Sequence, residues 1–77
     1  MNKNVINQFE HDIQKIYKLG HITSIAYMQK RKGIELFLPG SISSQKAQEI
    51  ATFIKNKYNF QAYFFVKKHN ISVYYEN

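Results

Sequence analysis

The chain has 77 residues, no cysteine, and eleven Lys and Arg against five Asp and Glu, for a formal charge of +6. That length predicts one domain, near the lower size at which a single core suffices. The lack of cysteine excludes disulfides and thiolate metal sites, and no apolar run approaches the ~20 residues of a membrane-spanning helix.

From the N-terminus, Asn4 to Leu19 repeats apolar residues at Ile6, Phe9, Ile13, Ile16 and Tyr17, a helical stripe. Asn4 is the expected cap, and Gly20 is placed to close the helix in a left-handed conformation. "HITSIAYMQ" reads as a strand rich in β-branched and aromatic residues, "KRKG" as a turn, and "IELFLP" as a second strand stopped by Pro39-Gly40. The serines of "SISSQK" are candidate caps for a second helix, whose stripe is Ala47, Ile50, Ala51, Ile54 and Tyr58. "NFQAYFFVK" is a third strand, "HN" a tight turn, and "ISVYYE" a fourth strand. The first residues, "MNKNVINQFEHD", are polar and soon acidic, unlike a signal peptide, so a cytoplasmic setting is expected.

The order is αββαββ, and a shift of 37 residues lays the second half on the first. Ile13 then meets Ile50, Lys30 meets Lys67, Ile34 meets Ile71, and Phe37 meets Tyr74. The expectation is an α+β domain spanning 1–77, built of two αββ halves, 4–40 and 41–77, related by an approximate twofold axis. Its four-stranded antiparallel sheet carries both helices on one face, with the two hairpins paired at the centre.

Strand alternation divides the side chains between two faces. If His69-Asn70 is a two-residue loop, Val66 faces Val73, Phe65 faces Tyr74, and Phe64 faces Tyr75. Ala62, Phe64, Val66, Val73 and Tyr75 then share one face. Tyr63, Phe65, Lys67, Ser72 and Tyr74 share the other. With Lys32-Gly33 as the first loop, Gln29 faces Leu36 and Tyr27 faces Leu38 on the aliphatic face, beside Ile25. Met28 faces Phe37 on the other, and Lys30 faces Glu35 as a pair of opposite charges. The helices are expected on the aliphatic face, with Phe64 and Tyr75 in the core. The opposite face is left with Met28, Phe37, Tyr63, Phe65 and Tyr74, edged by Lys30 and Lys67. A monomer rarely exposes so large an apolar patch without a use. One use is a stacking platform for single-stranded nucleic acid. The alternatives are a homodimer in which two such faces meet, a helix crossing to cover the face, or docking on a protein.

The charges cluster as well. Lys30, Arg31 and Lys32 tip the first hairpin, and Lys67 and Lys68 tip the second, so five of the eleven basic residues lie at equivalent turns. Lysines at the tips of two-stranded ribbons are placed to meet phosphates. "YMQKRKGIELF" and "KKHNISVYY", around the helix "SSQKAQEIATFIKNKY", resemble the double-wing DNA-binding domain known from the middle-promoter transcription activator of T-even phages. The resemblance covers about two-thirds of the chain. It implies that a concave sheet carries DNA contacts and that Lys30, Arg31, Lys32, Lys67 and Lys68 touch phosphates. The order αββαββ also looks like the core of LAGLIDADG homing endonucleases, but the acidic motif that names them is missing and nuclease activity is not implied.

No catalytic constellation is legible. His11, His21 and His69 fall on three separate elements without ligand spacing. There is no Gly-rich phosphate loop, nucleophile elbow or paired carboxylates on one face. The expectation is a non-enzymatic protein without cofactor or metal. It would bind nucleic acid, DNA or RNA, through Lys30, Arg31, Lys32, Lys67, Lys68, Phe37, Tyr63, Phe65 and Tyr74, as a phage or plasmid regulator. The alternative is a protein-interaction module, such as a phage-encoded inhibitor of a host protein, docking by its aromatic face or on an acidic surface. A homodimer is compatible with both.

Overall fold

In the computed structural model, which describes residues 3–75, the chain runs α1 (Lys3–Lys18), β1 (Ser24–Tyr27), β2 (Gly33–Phe37), α2 (Ser44–Tyr58), β3 (Gln61–Phe65) and β4 (Asn70–Tyr74). Glu76, assigned from the sequence to the last strand, lies outside the described residues. Local chemistry explains the helix boundaries. The Ser43 hydroxyl accepts from the Lys46 N–H at 3.1 Å and caps α2. Asn59, with φ 60°, ends α2 in the left-handed region and donates its N–H to the Lys55 carbonyl. Gly20, with φ 81°, closes α1 as its sequence position predicts, donating its N–H to Tyr17 O at 3.0 Å. Asn4 does not cap α1: the helix already includes Lys3, so Asn4 sits inside its first turn. Both helices carry lysines in the last turn, Lys15 and Lys18, then Lys55 and Lys57, where they complement the helix dipole.

The strands form one antiparallel sheet in the order β1-β2-β4-β3, an α+β fold. Ile34, Leu36, Ala62, Ile71 and Val73 are buried on the face covered by the helices. Phe9 and Ile13 of α1, Ala47, Ala51 and Ile54 of α2, and Ile22, Leu38, Phe60 and Tyr75 beside the strands join them in the core. The Phe9 ring stands edge-on to Tyr58, Phe60 and Tyr75, with centroids 4.9, 5.3 and 6.1 Å away. The Asp12 carboxylate ties the two helices together, accepting from the Tyr58 hydroxyl and from Gln8 Nε2 at 2.9 Å, with Lys57 Nζ at 3.8 Å. Tyr75 donates its hydroxyl to Glu10 at 3.1 Å and fixes α1 to the end of β4.

The central ladder pairs Gly33 with Tyr74, Ile34 with Val73, Glu35 with Ser72, Leu36 with Ile71, and Phe37 with Asn70. Adding 37 to the bounds of β2 gives those of β4, and Glu35 (35 + 37 = 72) faces its own counterpart. The ladder therefore maps onto itself, with the local twofold axis between Glu35 and Ser72.

Both hairpin registers differ from the sequence-based expectation, and by the same amount. Phe65 faces Asn70, Phe64 faces Ile71, and Tyr63 faces Ser72, leaving Val66–His69 as the turn. In the first hairpin Ile25 faces Leu36, Ala26 faces Glu35, and Tyr27 faces Ile34. The Met28 N–H reaches the Gly33 carbonyl, so residues 29–32 form the turn. Each expected pairing was thus four residues out of step. Phe65 and Tyr74 are not cross-strand partners, nor are Phe64 and Tyr75. Lys30 does not face Glu35, and Val66, expected on the helix-covered face opposite Val73, is 70% exposed at the turn. The physical reason is turn conformation. A two-residue hairpin loop of the favoured type needs φ > 0 at both central residues. The observed second turn needs it only at His69, with φ 52°. Because four is even, every side chain keeps its face.

Candidate nucleic-acid interface

The helices leave the second face of the sheet uncovered. Alternation puts Met28, Gly33, Glu35 and Phe37 on it from the first hairpin, and Tyr63, Phe65, Asn70, Ser72 and Tyr74 from the second. Tyr63 and Phe65, on the edge strand, are 44% and 47% exposed, while Met28, Phe37 and Tyr74 are half-buried. The Tyr63 and Tyr74 rings lie 6.0 Å apart and tilted. All four aromatic rings singled out in the sequence, Phe37, Tyr63, Phe65 and Tyr74, therefore share this face.

The two turns are fixed to the sheet by equivalent bonds. Tyr75 donates its N–H to Lys32 O at 2.9 Å, and Leu38 donates its N–H to His69 O at 3.1 Å. These two bonds exchange under the 37-residue shift. The His69 ring is also held, with Nε2 3.0 Å from the Pro39 carbonyl oxygen. Because β2 and β4 run antiparallel, the two tips stand at opposite ends of the face, separated by roughly 14 Å of strand. Lys30, Arg31 and Lys32 are exposed at one end, and Lys67 and Lys68 at the other. The first tip borders an open cleft of about 690 Å³, whose lining includes Tyr27 and Tyr75.

Arg31 does not simply project into solvent. Its guanidinium lies over the Tyr74 ring, 3.9 Å from the centroid, a stacked cation–π contact. An arginine held this way keeps its N–H edge free to meet a phosphate while its plane extends the aromatic surface. Lys55 is a cation that sequence reasoning missed. From α2 it lies 5.7 Å from the Tyr63 ring centroid, an approach set by tertiary packing that no local pattern signals. Glu35, read from the sequence as the partner of Lys30, instead stands half-buried at the centre of the face between Ala26 and Ser72, a carboxylate on a surface whose two ends are cationic.

The titratable groups that are clearly perturbed lie on the helix side. The hydrogen bond from Tyr58 holds the Asp12 carboxyl below its usual range against an opposing effect of desolvation, with help from Gln8 and Lys57. Burial, then the Asp12 partner, pushes the Tyr58 hydroxyl up. Burial and the charge of Glu10 do the same to Tyr75. These groups tie α1 to α2 and to the end of β4, and Tyr75 also borders the cleft beside the first tip. Among the described residues, no three His, Asp or Glu side chains are grouped to hold a metal ion, and no helix is long and apolar enough to cross a membrane. Compared with protein-family models, curated proteins and solved structures, the chain matches none.

Proposed function

We propose that the protein binds nucleic acid across the open face of its sheet, with phosphates at the two basic tips and bases against the aromatic floor. The observation that carries this reading is the placement of five tip cations at the two ends of an uncovered face bearing Phe37, Tyr63, Phe65 and Tyr74. The charge of +6 supplies long-range attraction to a polyanion. The rings supply stacking, ~1–3 kcal/mol per base. This is the arrangement expected from the double-wing resemblance, with Lys30, Arg31, Lys32, Lys67 and Lys68 on phosphates. It suits a small cytoplasmic regulator of the phage or plasmid kind.

A second reading is docking of a protein partner on the same face. Glu35 favours it, since a carboxylate at the centre of the platform repels a phosphate chain and attracts a basic side chain.

Salt titration of oligonucleotide affinity separates the two. Five phosphate contacts give a log–log slope of about −3.5 on a single strand and about −4.5 on a duplex. A slope of that size supports nucleic-acid binding. No measurable binding at low salt overturns it and leaves the docking reading.

A further inference from the structure

Beneath the second tip lies a side chain whose chemistry the fold does not use. Asn70 is 1% exposed, and both its Nδ2 and its Oδ1 are buried with no hydrogen-bond partner among the described residues. Buried amides are nearly always paired, so one lacking partners on both atoms calls for a reason. Asn70 sits between Phe37 of β2 and Phe65 of β3, on the open face. It lines a depression of about 380 Å³ with Glu35, Phe65, Lys67, Lys68, Ser72 and Tyr74, so one carboxylate stands beside the two lysines. That volume is in the lower range of small-ligand pockets, ~300–1,000 Å³. At the equivalent place at the other end stands Gly33 (33 + 37 = 70), where a Cβ would overlap the Val73 carbonyl oxygen. The amide therefore has no counterpart, and the two ends of the face differ chemically.

We infer that the Asn70 end is a base-reading subsite for single-stranded nucleic acid, selective for adenine, while the Arg31 end clamps phosphate. The inference rests on the nucleic-acid reading above and adds the ligand class and the reading group. An amide offers one donor and one acceptor side by side. Adenine complements that pattern with its N6 amine and N7, and Asn pairs with it in two parallel hydrogen bonds. Phe65 provides the stacking ring, and Lys67 and Lys68 meet the adjoining phosphates. Because both amide atoms are buried, the side chains around Asn70 must shift when a base enters. In a duplex the flat approach to Phe65 is closed because both faces of every internal base are stacked.

The test compares short adenine, cytosine and thymine (or uracil) oligomers, in DNA and in RNA, on the natural protein. It adds adenine oligomers carrying 7-deazaadenine, whose N7 is replaced by C–H, and uses the Asn70→Leu variant. Expected are tighter binding of adenine oligomers and a loss of ~10-fold or more on removing N7. Asn70→Leu should abolish the preference while keeping the salt-dependent remainder, and its thermal midpoint should equal or exceed that of the natural chain, because an unpaired buried amide is replaced by an apolar group of similar size. A like ranking in DNA and RNA assigns the selectivity to the base, and the sugar bound more tightly identifies the source. Salt-dependent binding with no base preference, or with no response to 7-deazaadenine, overturns this inference and spares the general reading. An Asn70→Leu variant that unfolds shows the amide to be structural and also overturns it. Failure of every oligomer to bind overturns both.

Discussion

At Gly33, β2 approaches β4 so closely that a Cβ would overlap the carbonyl oxygen of Val73. Gly33→Ala must displace backbone in the central ladder, and we expect it to cost about 1–3 kcal/mol in denaturant unfolding. Gly40→Ala is the control, since nothing lies within 4 Å of a Cβ there. It should change stability by no more than ~0.5 kcal/mol. Equal effects at the two positions would show that the ladder tolerates a side chain. The sequence marks Gly33 only as a turn residue, because a close approach between strands far apart in the chain leaves no local signature. The same limit hid the stacking of Arg31 on Tyr74 and the approach of Lys55 to Tyr63. The basic tips and the aromatic residues of the open face were legible residue by residue. Which cation lies on which ring depends on loop length and tertiary packing.

Among the elements, the strands and their faces could be read because side chains alternate with a period of two, and apolar residues mark the buried set. Register could not be read in the same way. A slip of four residues leaves Ile34, Leu36, Ile71 and Val73 under the helices, so alternation accepts the expected and observed pairings alike. The choice falls to the turns and to the core, which in the observed register sets Ile25 against Leu36 and Phe64 against Ile71 and frees Gln29 from the apolar face. Helix α1 is held partly by polar ties, and these make its docking depend on pH. The Asp12 carboxyl titrates lower in the fold than its ordinary 3.8, so its contribution is present above that pH and is lost as pH falls toward the folded value. Tyr58 and Tyr75 are raised above their ordinary 10.0, so their contribution is present below pH 10 and is lost as pH rises beyond it. Unfolding followed against pH should show the natural chain losing stability below about pH 4, with the gap between it and Asp12→Asn narrowing over the same range. A gap that stays constant down to pH 2 would remove Asp12 as the acid-sensitive tie.

For the molecule as a whole, the open face decides between monomer and assembly. Replacing Phe65 and Tyr74 together by Ser removes rings that lie outside the helix-covered core. As a binding surface of a monomer, the face predicts a folded variant of unchanged solution mass with weaker hold on single strands, by ~1–3 kcal/mol per stacked base. If two faces meet in a homodimer, the same variant should fall to half the mass of the natural protein in sedimentation, with lower stability at low concentration. Phe9→Ala gives the contrast: that ring anchors α1 among Tyr58, Phe60 and Tyr75. Its loss should cost ~3–5 kcal/mol, comparable to all the stability a domain of this size usually has. The self-matching central ladder bears on orientation as well. A surface with a twofold axis at its centre presents the same backbone to a strand entering from either end, whereas a nucleic-acid chain differs in its 5′-to-3′ and 3′-to-5′ directions. Under the nucleic-acid reading, only the departures from symmetry can set the direction of threading, among them Asn70 opposite Gly33, Arg31 opposite Lys68, and Phe65 opposite Met28. Making the two ends alike should leave a protein that still holds the strand but no longer knows which way it runs.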